Sequence, residues 1–314
     1  MKDLELSLMV ADYDRTHALF SGEVNPKGIS LRVFPPPIPG DACYKPVYEL
    51  FDVAEMSLSG YVMARCRGEP LIALPIFPLR MFIQPYLFCA APSDIHGPED
   101  LTGKRVGIQQ YRLTVALWTR GILSEHHGVH ASDIQWVTSE AEGAGYRVPG
   151  GIRITMQETD IETLLLEGKL DAAIFPNVPA AFRAGDPRVR RVFGECGKSI
   201  QKYFQKTGIF PITHTVVTRE RLVSEQPWIV KELVSAFTSA DHHCRKRYEY
   251  PKRFSIPTAV LVLEEQDRLF GKNPWMHGLN CNEIVLEKFV EYAKGQSYIS
   301  FKPVLNDLFA KEEA

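Results

Sequence analysis

Apolar and polar positions fall in short blocks along this chain, and the blocks switch repeatedly between the strand and helix periods. Residues 4–10 alternate well enough for a first strand. It ends at the polar turn Asp12-Tyr13-Asp14-Arg15-Thr16, which opens a helix through Phe20. Residues 28–34 read as a second strand, closed by the breaker Pro35-Pro36-Pro37. Residues 51–63 begin as an apolar strand and end as a helix start, and the turn between them carries Glu55, Ser57 and Ser59. Residues 71–77, rich in Ile, Leu and Ala, form a buried strand.

Farther on, Pro98-Glu99-Asp100-Leu101 makes one helical turn, Gly103 ends it, and a strand begins at Arg105. The junction 109–114 leads into a helix to about His127, with Val115, Leu117, Trp118, Ile122 and Leu123 as its apolar stripe. Residues 134–137 form a strand, and the polar, Gly-rich stretch 139–151 reads as a mobile loop. The helix 159–168 packs Ile161, Leu164, Leu165 and Leu166 and stops at Gly168. A strand at 171–175 ends in Pro176-Asn177-Val178-Pro179. Residues 207–218 form a strand-like crossing segment that contains His214. Ser224-Glu225-Gln226-Pro227 caps a long helix to about Arg247, and 282–294 is the last substantial helix. Strands alternating with helices predict an α/β architecture with mostly parallel sheets, and no solenoid repeat is visible.

Composition narrows the functions this architecture can serve. The chain has 314 residues, 45% of them hydrophobic and 24% charged, enough for a large core in one domain or two. A net charge of −2 with no basic block argues against nucleic acid. No run of apolar residues is long enough to span a membrane. Acidic residues among the first eight, with no small-residue cleavage site, read as a cytosolic protein. Cys43, Cys66, Cys89, Cys196, Cys244 and Cys281 are far apart and form no CxxC pair. They read mostly as buried small hydrophobes, not as zinc or redox ligands. His126-His127 and His242-His243 read as surface histidines, because adjacent helical residues do not share a face. No metal or cofactor is expected.

In an open α/β sheet, ligands bind outside the carboxyl ends of strands, where helix N-termini present free N–H groups. Glu55, Ser57 and Ser59 occupy such a junction and are placed to touch a small molecule. Helix capping by Ser57 or Ser59, with Glu55 as a favourable N-terminal charge, is the alternative.

The order of these pieces resembles type II periplasmic-binding-protein folds. The runs 97–107, opening on Gly97-Pro98-Glu99-Asp100-Leu101, and 164–174, with Gly168 between helix and strand, carry that likeness. Within the superfamily the chain resembles the 4,5-dihydroxyphthalate decarboxylase family. The matching runs are Asp12-Tyr13-Asp14-Arg15-Thr16, 51–59, Phe77-Pro78-Leu79-Arg80, 114–121, Thr207-Gly208-Ile209-Phe210-Pro211-Ile212, His214, and Trp275 with Gly278 and Asn282. The resemblance implies two α/β lobes, 1–88 plus 210–314 and 89–209. It also implies a cleft between them, a two-strand hinge through 84–91 and 207–218, and a homo-oligomer.

The implied reaction is cofactor-independent decarboxylation of a hydroxylated aromatic acid. It needs a proton donor for the ring carbon, a group that reads or deprotonates a ring hydroxyl, and cations that orient the carboxylate. His214 is the expected proton donor, since an imidazole titrates in the useful range. Glu55 is the expected hydroxyl reader, with Ser57 and Ser59 beside it. Asp12 and Arg15 flank a strand end, and Arg80 suits a carboxylate clamp. Thr114 sits where a helix start could hold an anion, and Tyr111, Trp275 and His277 are candidates for stacking or closure. Plainer alternatives are a hinge histidine at 214, an Asp14–Arg15 ion pair, a surface ion pair at Arg80, and core packing of Tyr111, Trp118 and Trp275.

The departures from the family pattern point to an altered substrate. Ile83-Gln84 stands where the family carries an Arg-His pair, Gln110 where it carries Glu, Asn177 where it often has Arg, and His277 where it has Tyr. Losing charged donors together implies a ligand with fewer carboxylates or a different ring. The competing reading is a non-catalytic binding protein for a small aromatic or thiamine-precursor-like solute.

Overall fold

The structure, a computed structural model, describes residues 3–36, 47–143 and 146–312. Pro37 and Cys43, together with Ala144 and Gly145 of the Gly-rich stretch, lie outside the described residues. The chain forms two compact units. The first comprises Met1–Arg80, Ile212–Glu287 and Pro303–Ala314, and the second Met81–Pro211 and Lys288–Lys302.

The first unit is built on a five-stranded sheet: β1 (Leu4–Met9), β2 (Ile29–Phe34), β3 (Val53–Ser57), β4 (Leu71–Leu74) and, late in the chain, β11 (His214–Arg219). The spatial order is β2-β1-β3-β11-β4. β1 pairs parallel with β2 and β3, whereas β11 runs antiparallel between β3 and β4. Its core gathers Leu6 and Leu8 of the first strand and Val10 just beyond it with Val53, Val216 and the apolar stripe Ile229, Val230, Leu233, Ala236, Phe237 and Ala240 of the helix Ile229–Tyr248. Burying such a stripe supplies most of a helix's stability in a domain.

The second unit holds β5 (Leu87–Ala90), β6 (Arg105–Ile108), β7 (Gln135–Thr138), β8 (Arg153–Met156), β9 (Ala172–Ile174) and β10 (Val189–Arg191), in the order β10-β5-β9-β6-β7-β8. β5 is antiparallel to both neighbours, and the remaining pairs are parallel. Each sheet is therefore mixed, with one reversed strand. Both reversed strands, β5 and β11, are the first to form after the chain passes from one unit to the other. A strand reached that way needs no right-handed helical crossover, which is what forces parallel pairing elsewhere.

Several expectations need correcting. No turn separates the strand and helix in 51–63: β3 passes at Ser57 straight into the helix Leu58–Cys66, so Glu55 is a strand residue. β8, β10 and the helices Cys196–Thr207 and Ala259–Phe270 are additional elements. The stretch 139–151 carries a buried anchor, Tyr146, packed near the rings of Tyr111 and Tyr298. Of the five described cysteines only Cys89 and Cys244 are buried, and Cys281 is exposed. His126 and His127 are partly buried: His126 meets the Tyr203 ring edge-on and His127 bonds Glu99 at 2.7 Å. Among the described residues no helix is long and apolar enough to cross a membrane.

Candidate active site

The site in the first unit starts from strand register. β3 and β11 are antiparallel with Glu55 opposite Val216 and Ser57 opposite His214. Directly opposed residues and their neighbours two positions away share a sheet face, so Glu55 and His214 are diagonal partners on one face. Their side chains meet: His214 Nδ1 lies 2.6 Å from Glu55 Oε1. The pair is enclosed, with Glu55 at 2% exposure and His214 at 8%. A buried carboxylate is tolerated only when its oxygens are hydrogen-bonded. Here Oε1 also accepts the Tyr13 hydroxyl at 2.8 Å, and Oε2 accepts the Ala11 amide at 2.9 Å. Burial pulls the Glu55 carboxyl upward, but the bond and charge of His214 and the Ala11 and Tyr13 donors outweigh it, and it is held below its usual range. Glu55 is thus an ionised partner of His214, with both oxygens engaged.

The turn 11–16 is fastened by Thr16, which is buried. Its hydroxyl donates to the Ala11 carbonyl at 2.7 Å and accepts the Tyr13 amide at 2.9 Å. That turn delivers Arg15. Its Nε donates to the Pro78 carbonyl at 2.8 Å, and its guanidinium lies over the rings of Trp275 (3.9 Å) and Tyr13 (4.1 Å). The expected Arg15–Asp14 ion pair is present at 3.2 Å. Asp12 is half exposed and bonds His17 at 3.0 Å.

Arg80 follows β4 and is 5% exposed. It is no surface ion-pair residue, as one reading of the sequence would have it. Its Nη2 donates to the Met276 carbonyl at 2.7 Å and to Asn282 Oδ1. Asn282 in turn donates to the carbonyls of Met276 and Gly278. Burial, then the like charge of Arg15, lowers the Arg80 pKa from its ordinary value. His277 Nδ1 accepts the Phe77 amide at 3.2 Å, which requires a neutral ring there. Burial and the charges of Arg80 and Arg15 push its pKa down to about 3. The segments 11–16, 75–80 and 275–282 thus gather two guanidiniums, a neutral imidazole and an indole in the unit that holds the Glu55–His214 pair. Arg15 and Trp275 also border a cavity of about 480 Å³, whose other walls include Asp14, Asp241, Cys244 and Tyr248.

Ser57 occupies the helix N-cap position without a side-chain cap bond, and its hydroxyl lies 3.3 Å from that of Ser59. Five expected ligand residues belong to the second unit. Gln84, 2% exposed, leads a 3-10 turn, and its side-chain oxygen is buried without a hydrogen-bond partner. Gln110 donates to the Ala141 carbonyl at 3.0 Å. Thr114 is the first residue of the helix Thr114–His127 and is buried, and Asn177 is exposed beyond β9. Tyr111 is a core residue: its ring lies beneath the Arg120 guanidinium at 3.7 Å and edge-on to Trp136, as the plainer alternative holds. Trp118 is likewise core, against Phe289 and Tyr292. Tyr13, Thr16 and Asn282 carry roles that the residue pattern alone leaves unassigned. The available signal for the first two is the closed spacing of Ala11, Tyr13 and Thr16 at a strand end.

Comparison with known proteins completes the picture. No family model matches the chain. It is 32% identical over 317 aligned positions, covering 96% of both chains, to 4,5-dihydroxyphthalate decarboxylase of Comamonas testosteroni. The periplasmic aliphatic sulphonate binding protein SsuA of Escherichia coli superposes with a TM-score of 0.57 at 13% identity, covering 99% of this chain and 92% of that one. The desulfurization enzyme DSZB does so with a TM-score of 0.56 at 15% identity, covering 98% and 97%. These structures share its two-lobed, type II periplasmic-binding-protein-like α/β fold.

Proposed function

We infer, since this chain belongs to the 4,5-dihydroxyphthalate decarboxylase family, that it is a carboxy-lyase acting without a cofactor on a hydroxylated aromatic carboxylic acid. The buried Glu55–His214 pair carries this reading. Glu55 fixes the imidazole through Nδ1, and His214 protonates the ring carbon that bears the carboxylate from Nε2. A ring hydroxyl gives up its proton, and its electrons make that carbon basic. The new C–H bond forms, the C–CO₂⁻ bond breaks, CO₂ leaves, and the ring regains aromaticity. The hydroxyl proton passes to solvent, and after CO₂ has left solvent returns one proton to the phenolate and one to His214. An anionic substrate suits the two guanidiniums, since burial and the like charge of Arg15 disfavour the charge of Arg80 until an anion joins them.

We further propose that the substrate carries fewer carboxylates than a phthalate. Ile83-Gln84 and Asn177 stand where the family pattern has an Arg-His pair and often an Arg, so cationic donors for a second carboxylate are replaced by neutral residues. Purified protein incubated with 4,5-dihydroxyphthalate and a panel of mono- and dihydroxybenzoates, with CO₂ release followed, tests both points. We expect turnover of a dihydroxybenzoate and little of the phthalate. Turnover of the phthalate at ordinary enzyme rates, about 1–10³ s⁻¹, would overturn the altered-substrate reading. Aromatic acids that raise the melting temperature without releasing CO₂ would favour a solute-binding protein, as SsuA is.

A further inference from the structure

Glu55 Oε1 is shared. It sits 2.6 Å from His214 Nδ1 and accepts the Tyr13 hydroxyl at 2.8 Å, while Oε2 is taken by the Ala11 amide at 2.9 Å. A carboxylate oxygen offers a limited amount of charge, and each donor it accepts reduces what it offers the next. Without the phenol, Oε1 would belong to the imidazole alone and the pair would hold its proton more tightly. With the phenol in place, the imidazolium is a better acid.

The position of Tyr13 is fixed from three sides. Its amide donates to Thr16 Oγ1 at 2.9 Å and to the Ala11 carbonyl at 2.9 Å. Its carbonyl accepts the Thr16 amide at 3.0 Å. Its ring supports the Arg15 guanidinium at 4.1 Å, which also lies over the Trp275 ring at 3.9 Å. The hydroxyl is therefore held on Glu55 by backbone geometry and ring packing, and the same residue touches both the acid pair and a cation of the site. The titratable and charged groups on the packed segments are Asp12, Asp14 and Arg15 on this turn, Arg80 after β4, and His277 before Gly278. Asp12 is bonded to His17 and Asp14 to Tyr248. His277 is kept neutral by burial and by the charges of Arg80 and Arg15, and its Nδ1 accepts the Phe77 amide.

We propose that Tyr13 is a positioning residue of the reaction: by donating its hydroxyl to Glu55 Oε1 it limits the carboxylate's hold on His214 and keeps the ring proton deliverable. This rests on the assignment of His214 as proton donor, but the experiment separates the two. The full chain, labelled with ¹⁵N in its histidine rings, is titrated by NMR without ligand, and His214 is identified by its absence in His214→Gln. Tyr13→Phe keeps the ring beneath Arg15 and removes only the hydroxyl. In that variant the His214 imidazolium is expected to persist about half to one pH unit higher, a three- to tenfold rise in proton affinity. Placing 3-fluorotyrosine at position 13 strengthens the donor without altering the shape, and moves the titration the opposite way. That second variant stands in if Tyr13→Phe fails to fold. An unchanged His214 titration in a folded variant overturns the role of Tyr13. The same proteins are assayed for CO₂ release from 3,4-dihydroxybenzoate and 4,5-dihydroxyphthalate across pH. The basic limb of the rate profile should follow the NMR shift. Activity that survives His214→Gln would instead remove the proton-donor reading, whatever the titration shows.

Discussion

Glu55 brings a full negative charge into a strand whose five residues are all buried. Such a charge survives only if its donors compensate for the water it has lost. Glu55→Gln preserves volume and keeps one acceptor oxygen, but takes away the charge that orients and sustains an imidazolium. We expect CO₂ release to fall by about 10²–10⁴-fold in a protein whose far-ultraviolet circular dichroism is unchanged. Undiminished turnover would reduce Glu55 to packing. His277 poses the opposite problem, a ring held neutral. Its folded-state pKa is pushed down to about 3 from 6.5. Between those values the unfolded chain binds a proton that the folded chain refuses, so stability falls as pH drops through that window. Glu55 adds to the loss farther down. Its folded pKa lies below the ordinary 4.5, so its contribution is present above that value and disappears as pH falls through the lowered one. His277→Asn keeps an acceptor for the Phe77 amide and removes the titrating ring. Melting curves at pH 7 and pH 5 should show a smaller acid loss for the variant than for the parent.

At the scale of elements, legibility in the sequence followed burial. The parallel strands and the helices 114–127 and 229–248 announce themselves, because each shows a continuous apolar stripe to a core. β8 does not: Arg153, Thr155 and Met156 are all exposed, so no alternation marks it. The helix Ala259–Phe270 buries only Ala259, and the helix Cys196–Thr207 only Tyr203. The acid pair was half legible. Glu55 and His214 each stood out as polar residues in apolar company, but their union depends on the reversed direction of β11, which no local pattern records. Close approach between helices is equally silent. Gly121 sits where a Cβ would lie 2.2 Å from the Tyr292 ring, so the helix Thr114–His127 meets the helix Glu283–Gly295 through a missing side chain. Gly121→Ala should gain helix propensity yet lose about 1–3 kcal/mol to overpacking, read as a lower melting temperature. Combining it with Tyr292→Ala should cost less than the two single changes summed.

At the scale of the molecule, each unit has its own sheet and its own apolar cluster. The second is assembled from two stretches distant in sequence, 81–211 and 288–302. Arg120, 2% exposed, joins them. Its Nε donates to Gln296 Oε1 at 2.8 Å and its Nη2 to the Tyr298 hydroxyl at 2.7 Å, while Nη1 reaches the Tyr111 carbonyl at 2.9 Å. These acceptors are neutral, so the guanidinium depends on them and on the Tyr111 ring face for what water no longer supplies. A buried cation held this way is costly to truncate, because truncation strands its partners and opens a cavity. Arg120→Met keeps most of the bulk but leaves the same acceptors without their donor, so it should cost about 1–3 kcal/mol. Arg120→Ala should lose about 2–5 kcal/mol, and the loss should be local. Native-state hydrogen exchange should show amides of β6, β7 and 288–302 opening about 10²–10³-fold more readily, with β1, β3 and β11 unchanged. Loss of protection spread evenly over both sheets would mean that the two units open as one cooperative body. In that case the Glu55–His214 pair would depend for its order on a cation in the other unit.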